Sequence, residues 1–259
     1  MIFSLLPALN LPLTFKATDV KIAIIGYGRM GKEIEEMALS RNHEIVAVVD
    51  NENDWKESEN ALSTADVAIE FSMPDMAIKN IKRCFEAGLP VVSGTTGWTS
   101  SFAELKDNCI EGGHSFFYAS NFSPGMNMMF ELNKRLAALM GKHPHYRILI
   151  EEIHHSGKKD APSGTAITLA NEIIDAHPLK EKWVNKPAFD PSELEIISIR
   201  REQVAGTHFV KYDSDIDSLE IKHSAHSRKG FALGALLAAE WLNGRKGCFG
   251  MSDMLYDEG

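Results

Sequence analysis

The block from Lys21 to Asp50 constrains the fold more than any other part of the chain. Lys21-Ile-Ala-Ile-Ile-Gly26 is a short, continuous apolar run, the pattern of a strand buried on both faces of a parallel sheet. It passes directly into Gly26-Tyr27-Gly28-Arg29-Met30-Gly31, a G-x-G-x-x-G, and then into helical sequence from Lys32 to Ser40. A second β-rich run begins at Glu44 and ends in Asp50, nineteen positions after Gly31. Glycines alone are common turn residues. Strand, glycines, helix, strand and terminal acid in this order form a dinucleotide-binding fingerprint. Gly26 permits the tight turn, Gly28 lets backbone approach a pyrophosphate, and Gly31 lets the helix settle on the strand. Asp50 offers acceptors to the adenosine ribose hydroxyls, so a nicotinamide cofactor is expected. The following residues, Asn51, Glu52, Asn53 and Asp54, are hostile to a 2′-phosphate, which calls for arginine or lysine. NADH is therefore expected over NADPH, unless a basic side chain reaches in from elsewhere.

The α/β rhythm continues with a strand over Asp66–Phe71, a helix over Asp75–Ala87 and a strand over Pro90–Ser93. Ser93-Gly94-Thr95-Thr96-Gly97 then lies at a strand's C-terminal end, where open α/β sheets bind ligands. A helix over Ser101–Asn108 and a strand over His114–Ala119 follow. Ser120-Asn121-Phe122-Ser123-Pro124-Gly125 breaks the pattern and reads as a crossover between domains. Beyond it come a long amphipathic helix (Met126–Met140), a strand (Tyr146–Ile153) and a helix from Ser163 to Ala176. Three β-like segments follow, Leu194–Arg201, Thr207–Tyr212 and Ser218–His223. In the last, Leu219 and Ile221 alternate with Glu220 and Lys222, as in a half-exposed sheet. The final apolar helix, Phe231–Trp241, is expected to return to the first domain. The expected fold class is therefore α/β. A Rossmann-like dinucleotide-binding domain (19–122 plus 232–259) joins an α+β domain (123–231) with an open mixed sheet. That sheet needs a cover, and subunit pairing provides one.

Residues 1–18 are moderately apolar but broken by Pro7 and Pro12, without a basic leader region or a span long enough for a bilayer. They stand as an unassigned extension, and no membrane association is expected. The net charge of −9 over 259 residues argues against a nucleic-acid partner. Cys84, Cys109 and Cys248 are odd in number and far apart, which reads as reduced thiols in a cytoplasmic protein.

Chemistry concentrates in Glu151-Glu152-Ile153-His154-His155-Ser156-Gly157-Lys158-Lys159-Asp160-Ala161-Pro162-Ser163-Gly164-Thr165-Ala166. Histidines and lysines here precede a helix start marked by Ser163 as N-cap. Proton donors, positive charge and free backbone N–H groups thus gather in one place, which suits an anionic substrate that must also receive a proton. Histidine can supply that proton near neutral pH. Lys158 offers a cationic donor to a carboxylate, and the Gly164 and Thr165 N–H groups open a helix whose dipole favours an anion. Asp160 is expected to fix the loop or a lysine, and Lys159 to face solvent. His154, His155, Glu151 and Glu152 are also metal-ligand types. Adjacent strand histidines point to opposite faces and no H-E-x-x-H occurs, so no metal is expected.

The glycine fingerprint, Gly94-Thr-Thr-Gly97, Asn121-Phe-Ser123 and His154-His-x-x-Lys158-x-Asp160-Ala-Pro-Ser-Gly-Thr-Ala166 occur here in one order. Together they closely resemble the 4-hydroxy-tetrahydrodipicolinate reductase (dihydrodipicolinate reductase) family of the diaminopimelate route to lysine. The resemblance runs from Lys21 to Leu242, and the histidine block is its specific part. It implies reduction of a cyclic imine dicarboxylate by NAD(P)H to tetrahydrodipicolinate, in a homotetramer built through the open sheets. By the same resemblance, His154 is the proton donor/acceptor and Lys158 a second proton donor. His155, Gly164 and Thr165 contact substrate. Gly26, Tyr27, Gly28, Arg29, Met30, Gly31, Asp50, Gly94, Thr95, Thr96, Ala119, Ser120, Asn121 and Phe122 contact the cofactor. The chain departs from the pattern in two places: its glycine loop is one residue shorter than in many members, and residues 1–18 have no counterpart.

Three rival readings stand beside this one. The first is another two-domain dehydrogenase acting on an amino or oxo acid, separable by substrate profiling. The second is the metal site above, which chelation would expose. The third is a non-catalytic NADH sensor, against which the intact His154, Lys158 and Gly164-Thr165 argue. Because the nicotinamide must meet the histidine loop across two domains, hinges are expected at Asn121–Gly125 and just before Phe231.

Overall fold

The computed structural model describes residues 19–257, so the extension 1–18 lies outside the described residues. Six parallel strands form the first sheet, β1 (Lys21–Ile25), β2 (Glu44–Val49), β3 (Val67–Glu70), β4 (Val91–Ser93), β5 (Ser115–Tyr118) and β11 (Gly247–Phe249), in the order β11-β5-β4-β3-β1-β2. Its helices are α1 (Arg29–Ser40), α2 (Glu52–Glu57), α3 (Glu59–Leu62), α4 (Pro74–Glu86), α5 (Phe102–Glu111), α8 (Lys229–Leu242) and α9 (Met251–Leu255).

The unbroken apolar run of β1 has a direct cause. Ile22 and Ile24 pack with α1 and α8, whereas Ala23 and Ile25 pack on the opposite side with α4 and α5. A strand covered on both faces has no position left for a polar residue. The late helix α8 does return to this sheet, carrying Ala232, Ala235, Leu236 and Ala239 into the same core. Its Gly234 lies so close to the crossover that an added Cβ would sit 1.7 Å from the Phe122 carbonyl oxygen. Gly234→Ala is accordingly expected to destabilise the chain by about 3 kcal/mol through overpacking. Urea denaturation checks this, and an unchanged midpoint would contradict the contact.

The second sheet contains β6 (Arg147–His154), β7 (Lys182–Val184), β8 (Glu193–Arg200), β9 (Gly206–Asp213) and β10 (Ser218–Ala225), in the order β10-β9-β6-β8-β7. β9 runs antiparallel to β6 and β10, while β6, β8 and β7 are parallel. Helices α6 (Pro124–Met140) and α7 (Gly164–Ala176) cover one face. Ile148, Ile150, Leu194, Ile196, Val210 and Tyr212 point into that cover and are buried. Leu149, Ile153 and Phe209, on the other face, are only half-buried.

The architecture matches the α/β expectation, with three differences. The alternation read in β10 does not bury both of its apolar residues. As the edge strand it lies at the margin of the helical cover, so Leu219 stays exposed and only Ile221 reaches the core. β7, β11 and α9 had no sequence expectation, being short segments of three to five residues. The Asn51–Asp54 stretch, for which no element was expected, starts α2 through a capping box in which Asn51 and Asp54 satisfy each other's backbone N–H groups. Among the described residues, no helix is long and apolar enough to cross a membrane.

Candidate active site

The strand pairing builds the site. Residues of β6 alternate between faces, so Glu152 and His154 lie on the same, helix-covered face as Ile148 and Ile150. The register sets Glu152 opposite His208 on β9 and opposite Ser198 on β8, and sets His154 beside Arg200. Three polar side chains, Glu152, His154 and His208, are thereby buried at one end of an apolar layer.

Such burial requires partners. Glu152 Oε1 accepts from Arg200 Nη1 and Nη2 at 3.3 and 3.2 Å. Glu152 Oε2 stands 3.1 Å from His154 Nδ1 and 3.9 Å from His208 Nε2. Burial alone would raise the Glu152 carboxyl. The His154 ring and the Ser163 and Ser198 hydroxyls outweigh it and hold the carboxyl well below the ordinary carboxylate range. His208 is pushed down to about 3, first by burial and then by the neighbouring His154, and stays neutral at neutral pH. The two rings are 5.0 Å apart and nearly perpendicular. Glu152, His154 and His208 also bring three ligand-type atoms within 4.8 Å of one another. The Arg200 guanidinium on Glu152 sets a fixed positive charge against a cation at that point.

His208 reaches further, with Nε2 3.2 Å from the Ser163 hydroxyl. Ser163 is the N-cap of α7 and accepts from the Ala166 N–H at 3.2 Å. The amides of Gly164 and Thr165 belong to the first turn and have no intrahelical acceptor. No atom lies within 4 Å of a Cβ built on Gly164, so the cleft is open there. Gly206 gives His154 its room, since a Cβ on it would lie 3.1 Å from His154 Nε2. The Lys158 ammonium is held by both Asp160 carboxylate oxygens at 2.8 Å, and Lys159 is exposed. His154 closes β6 and is buried; His155, the next residue, is exposed.

A cleft of about 960 Å³ brings together His154, His155, Lys158, Gly164 and Thr165 with Thr96, Ser120 and Asn121. Thr96, Ser120 and Asn121 lie beyond the C-terminal ends of β4 and β5, so the cleft spans both sheets. A second cavity of about 360 Å³ is lined by Gly26, Gly28, Asp50, Asn51, Glu52 and Trp55. Gly26 has a φ of +89°, and a Cβ there would lie 2.3 Å from the Phe71 carbonyl oxygen; only glycine fits this turn. Gly31 is buried, with room for a Cβ denied by the Gly26 carbonyl oxygen 2.3 Å away. Gly28 faces open space at the start of α1. Asp50 Oδ1 accepts from the Tyr27 N–H at 2.7 Å, which braces the glycine loop.

Other expected cofactor residues lie beneath the surface or outside both cavities. Ala119 and Phe122 are buried in the core, and Gly94 packs against the Phe71 ring. The Thr95 hydroxyl donates to Glu70 at 2.9 Å and accepts from the Ser72 N–H at 2.8 Å, so the side chain braces its loop. Tyr27, Arg29 and Met30 line neither cavity; the Tyr27 hydroxyl bonds to Glu35.

Sequence reading missed Arg200, His208 and Gly206, which meet His154 only through strand register. It treated Glu152 as a metal-ligand type alone. The signal for Glu152 was available, because the i, i+2 spacing to His154 on a strand puts both on one face.

The chain matches the family models described as dihydrodipicolinate reductase, N-terminus, over residues 20–122, and dihydrodipicolinate reductase, C-terminus, over residues 125–255. It is 48% identical over 241 residues to a 4-hydroxy-tetrahydrodipicolinate reductase of Christiangramia forsetii, covering 92% of this chain and 98% of that protein. To the reductase of Methanosarcina barkeri it is 33% identical, covering 91% and 99%. The dipicolinate-bound dihydrodipicolinate reductase of Paenisporosarcina superposes with a TM-score of 0.72 at 22% identity, over 91% of this chain and 99% of that one. Two matched halves that together span nearly all the described residues, and full-length relatives above 30% identity, lead to one conclusion: this chain belongs to the dihydrodipicolinate reductase family.

Proposed function

We propose that the chain reduces the cyclic imine dicarboxylate 4-hydroxy-tetrahydrodipicolinate, or its dehydrated ring, to tetrahydrodipicolinate, the reductive step of diaminopimelate and lysine synthesis. The observation that carries this reading is the meeting of His154, Lys158 and the α7 start in a cleft that also reaches the first sheet. In this reading residues 19–122 plus 232–259 hold the dinucleotide and residues 123–231 hold the substrate.

The glycine loop fits a pyrophosphate, since Gly28 leaves open space at a helix start and Gly26 and Gly31 allow close backbone packing. Asp50 would meet the ribose, and Thr96, Ser120 and Asn121 the nicotinamide end. Bound there, the reduced nicotinamide supplies a hydride. The chain supplies the rest. With Nδ1 turned to Glu152, His154 keeps Nε2 for the cleft, where it delivers the proton that quenches the electron pair displaced in the substrate. Glu152 and Arg200 fix the ring's orientation. Gly164 and Thr165 N–H groups take one substrate carboxylate, and Lys158 leaves Asp160 to take the other or to stand in for His154 as donor of that one proton. His155 lines the substrate side. The absence of a basic residue just after Asp50 supports NADH over NADPH. Half-buried apolar residues on the face of the second sheet away from α6 and α7 support a homotetramer, and the free thiols of Cys84, Cys109 and Cys248 support a cytoplasmic enzyme. Closure about Asn121–Gly125 and the start of α8 would bring nicotinamide to His154; an unchanged scattering radius on adding NADH and a dicarboxylate inhibitor would count against it.

Pyridine-2,6-dicarboxylate tests the substrate site, being a flat dicarboxylate that cannot be reduced there. It is expected to compete with substrate. Lys158→Ala is expected to weaken it roughly 10- to 100-fold, the worth of a charge-assisted hydrogen bond, with little change in NADH affinity. Equal inhibition of wild type and variant would remove Lys158 from carboxylate binding.

A further inference from the structure

The smaller cavity contains an arrangement that the sequence after Asp50 does not reveal. Glu52 lines it at the first turn of α2, and its carboxylate is gripped from α4 by two cations. Lys79 Nζ donates to Oε1 at 2.6 Å, and Arg83 donates to both oxygens, Nη2 to Oε2 at 2.6 Å and Nη1 to Oε1 at 3.3 Å. Arg83 also lies over the Trp55 ring, 5.1 Å from its centroid, and Trp55 is itself a wall of the cavity. The two cations hold the Glu52 carboxyl down at about 2, so it stays ionised at any working pH.

The geometry points to Glu52 as the residue that sets which dinucleotide this chain accepts, by occupying Lys79 and Arg83, a cation pair that would otherwise hold a 2′-phosphate. This rests on reading the smaller cavity as the adenosine ribose site. Two effects act together. The carboxylate repels a phosphate two residues beyond Asp50, and it also neutralises the two cations that grip it from α4. A guanidinium placed over an indole and an ammonium one helical turn away form a planar fork plus a point charge, a combination suited to a phosphate monoester. Removing Glu52 leaves two like charges facing one another with no anion between them, and a 2′-phosphate supplies that anion. The basic side chains that sequence reading left open are therefore present. They come from α4, nearly thirty residues away, and are masked.

The test uses the full chain. kcat/KM is measured with NADH and with NADPH, and binding of adenosine 2′,5′-bisphosphate is compared with that of 5′-AMP. Glu52→Gln and Glu52→Ala are each expected to raise the NADPH-to-NADH ratio at least ~10-fold and to tighten the bisphosphate selectively. In Glu52→Ala combined with Lys79→Ala and Arg83→Ala, that gain is expected to disappear. An unchanged ratio in both single variants would overturn the proposal. So would a gain kept in the triple variant, because repulsion alone would then account for it. Asp50→Ala separates the two layers. If it weakens NADH while the Glu52 variants do nothing, only the masking idea falls. If it leaves NADH untouched, the ribose-site reading falls and takes the proposal with it.

Discussion

His154→Gln is expected to lower kcat by roughly 10²- to 10⁴-fold, the usual worth of a positioned general acid, with NADH affinity and melting temperature little changed. Glutamine keeps polarity, approximate size and an amide N–H that can serve Glu152 in a pocket that leaves the residue only 8% exposed, so the fold has no strong reason to respond. What it cannot do is deliver a proton. Histidine can, and the buried carboxylate beside Nδ1 holds the ring with its other nitrogen toward the cleft. His208, held neutral only 5.0 Å away, does not stand in for it. Steady-state kinetics with a fluorescence titration of NADH separates the outcomes. A loss confined to KM would mean that His154 binds substrate without protonating it.

The second large effect belongs to Glu152. This carboxylate is fully buried and supports Arg200 on one oxygen and His154 on the other. Breaking a buried charge pair from one side leaves the partner uncompensated, so Glu152→Gln is expected to cost about 3 kcal/mol. That is the low end of the range, because the Arg200 side chain keeps 22% of its exposure. Loss of the ring's orienting partner is also expected to lower kcat about 10- to 100-fold, with NADH binding retained. The pH dependence has a definite sign. Glu152 has its carboxyl depressed in the fold, so its stabilisation is present above the unfolded carboxyl range and is lost as pH falls through the folded value. His208 is depressed from 6.5 to about 3, so the unfolded chain binds the extra proton between those values and stability again falls on acidification. Urea midpoints are therefore expected to decline below about pH 6.5, and less steeply in His208→Gln than in wild type. A midpoint that rose on acidification would contradict both shifts.

Much of this was legible in the sequence because it rests on local rules. A strand buried on both faces is written as Lys21-Ile-Ala-Ile-Ile, and the glycine turn that must follow it is written as Gly26-x-Gly28. The Ser163 cap and the Gly164-Thr165 start of α7 were equally plain, since capping depends on neighbouring residues. What escaped was set by pairing across the chain. Nothing near Arg200 or His208 marks them as partners of Glu152; only the register of β8 and β9 against β6 brings them there. The same holds for Lys79 and Arg83 at Glu52, which depend on how α4 lies against α2. Thr95 shows both. Its place in a loop at a strand end was legible, whereas the spending of its hydroxyl on the buried Glu70 that braces the loop was not. Leu219 escaped for want of a cover, because periodicity gives a strand its two faces and not what lies over its end.

The most direct test supplies the enzyme with the fresh condensation product of pyruvate and aspartate semialdehyde, made in place by the upstream synthase, and follows loss of NADH absorbance. Rapid oxidation that requires the condensation product, and that collapses in His154→Gln, is the expected result. Absence of oxidation by wild type with NADH and with NADPH, while the dinucleotide still binds, would contradict it.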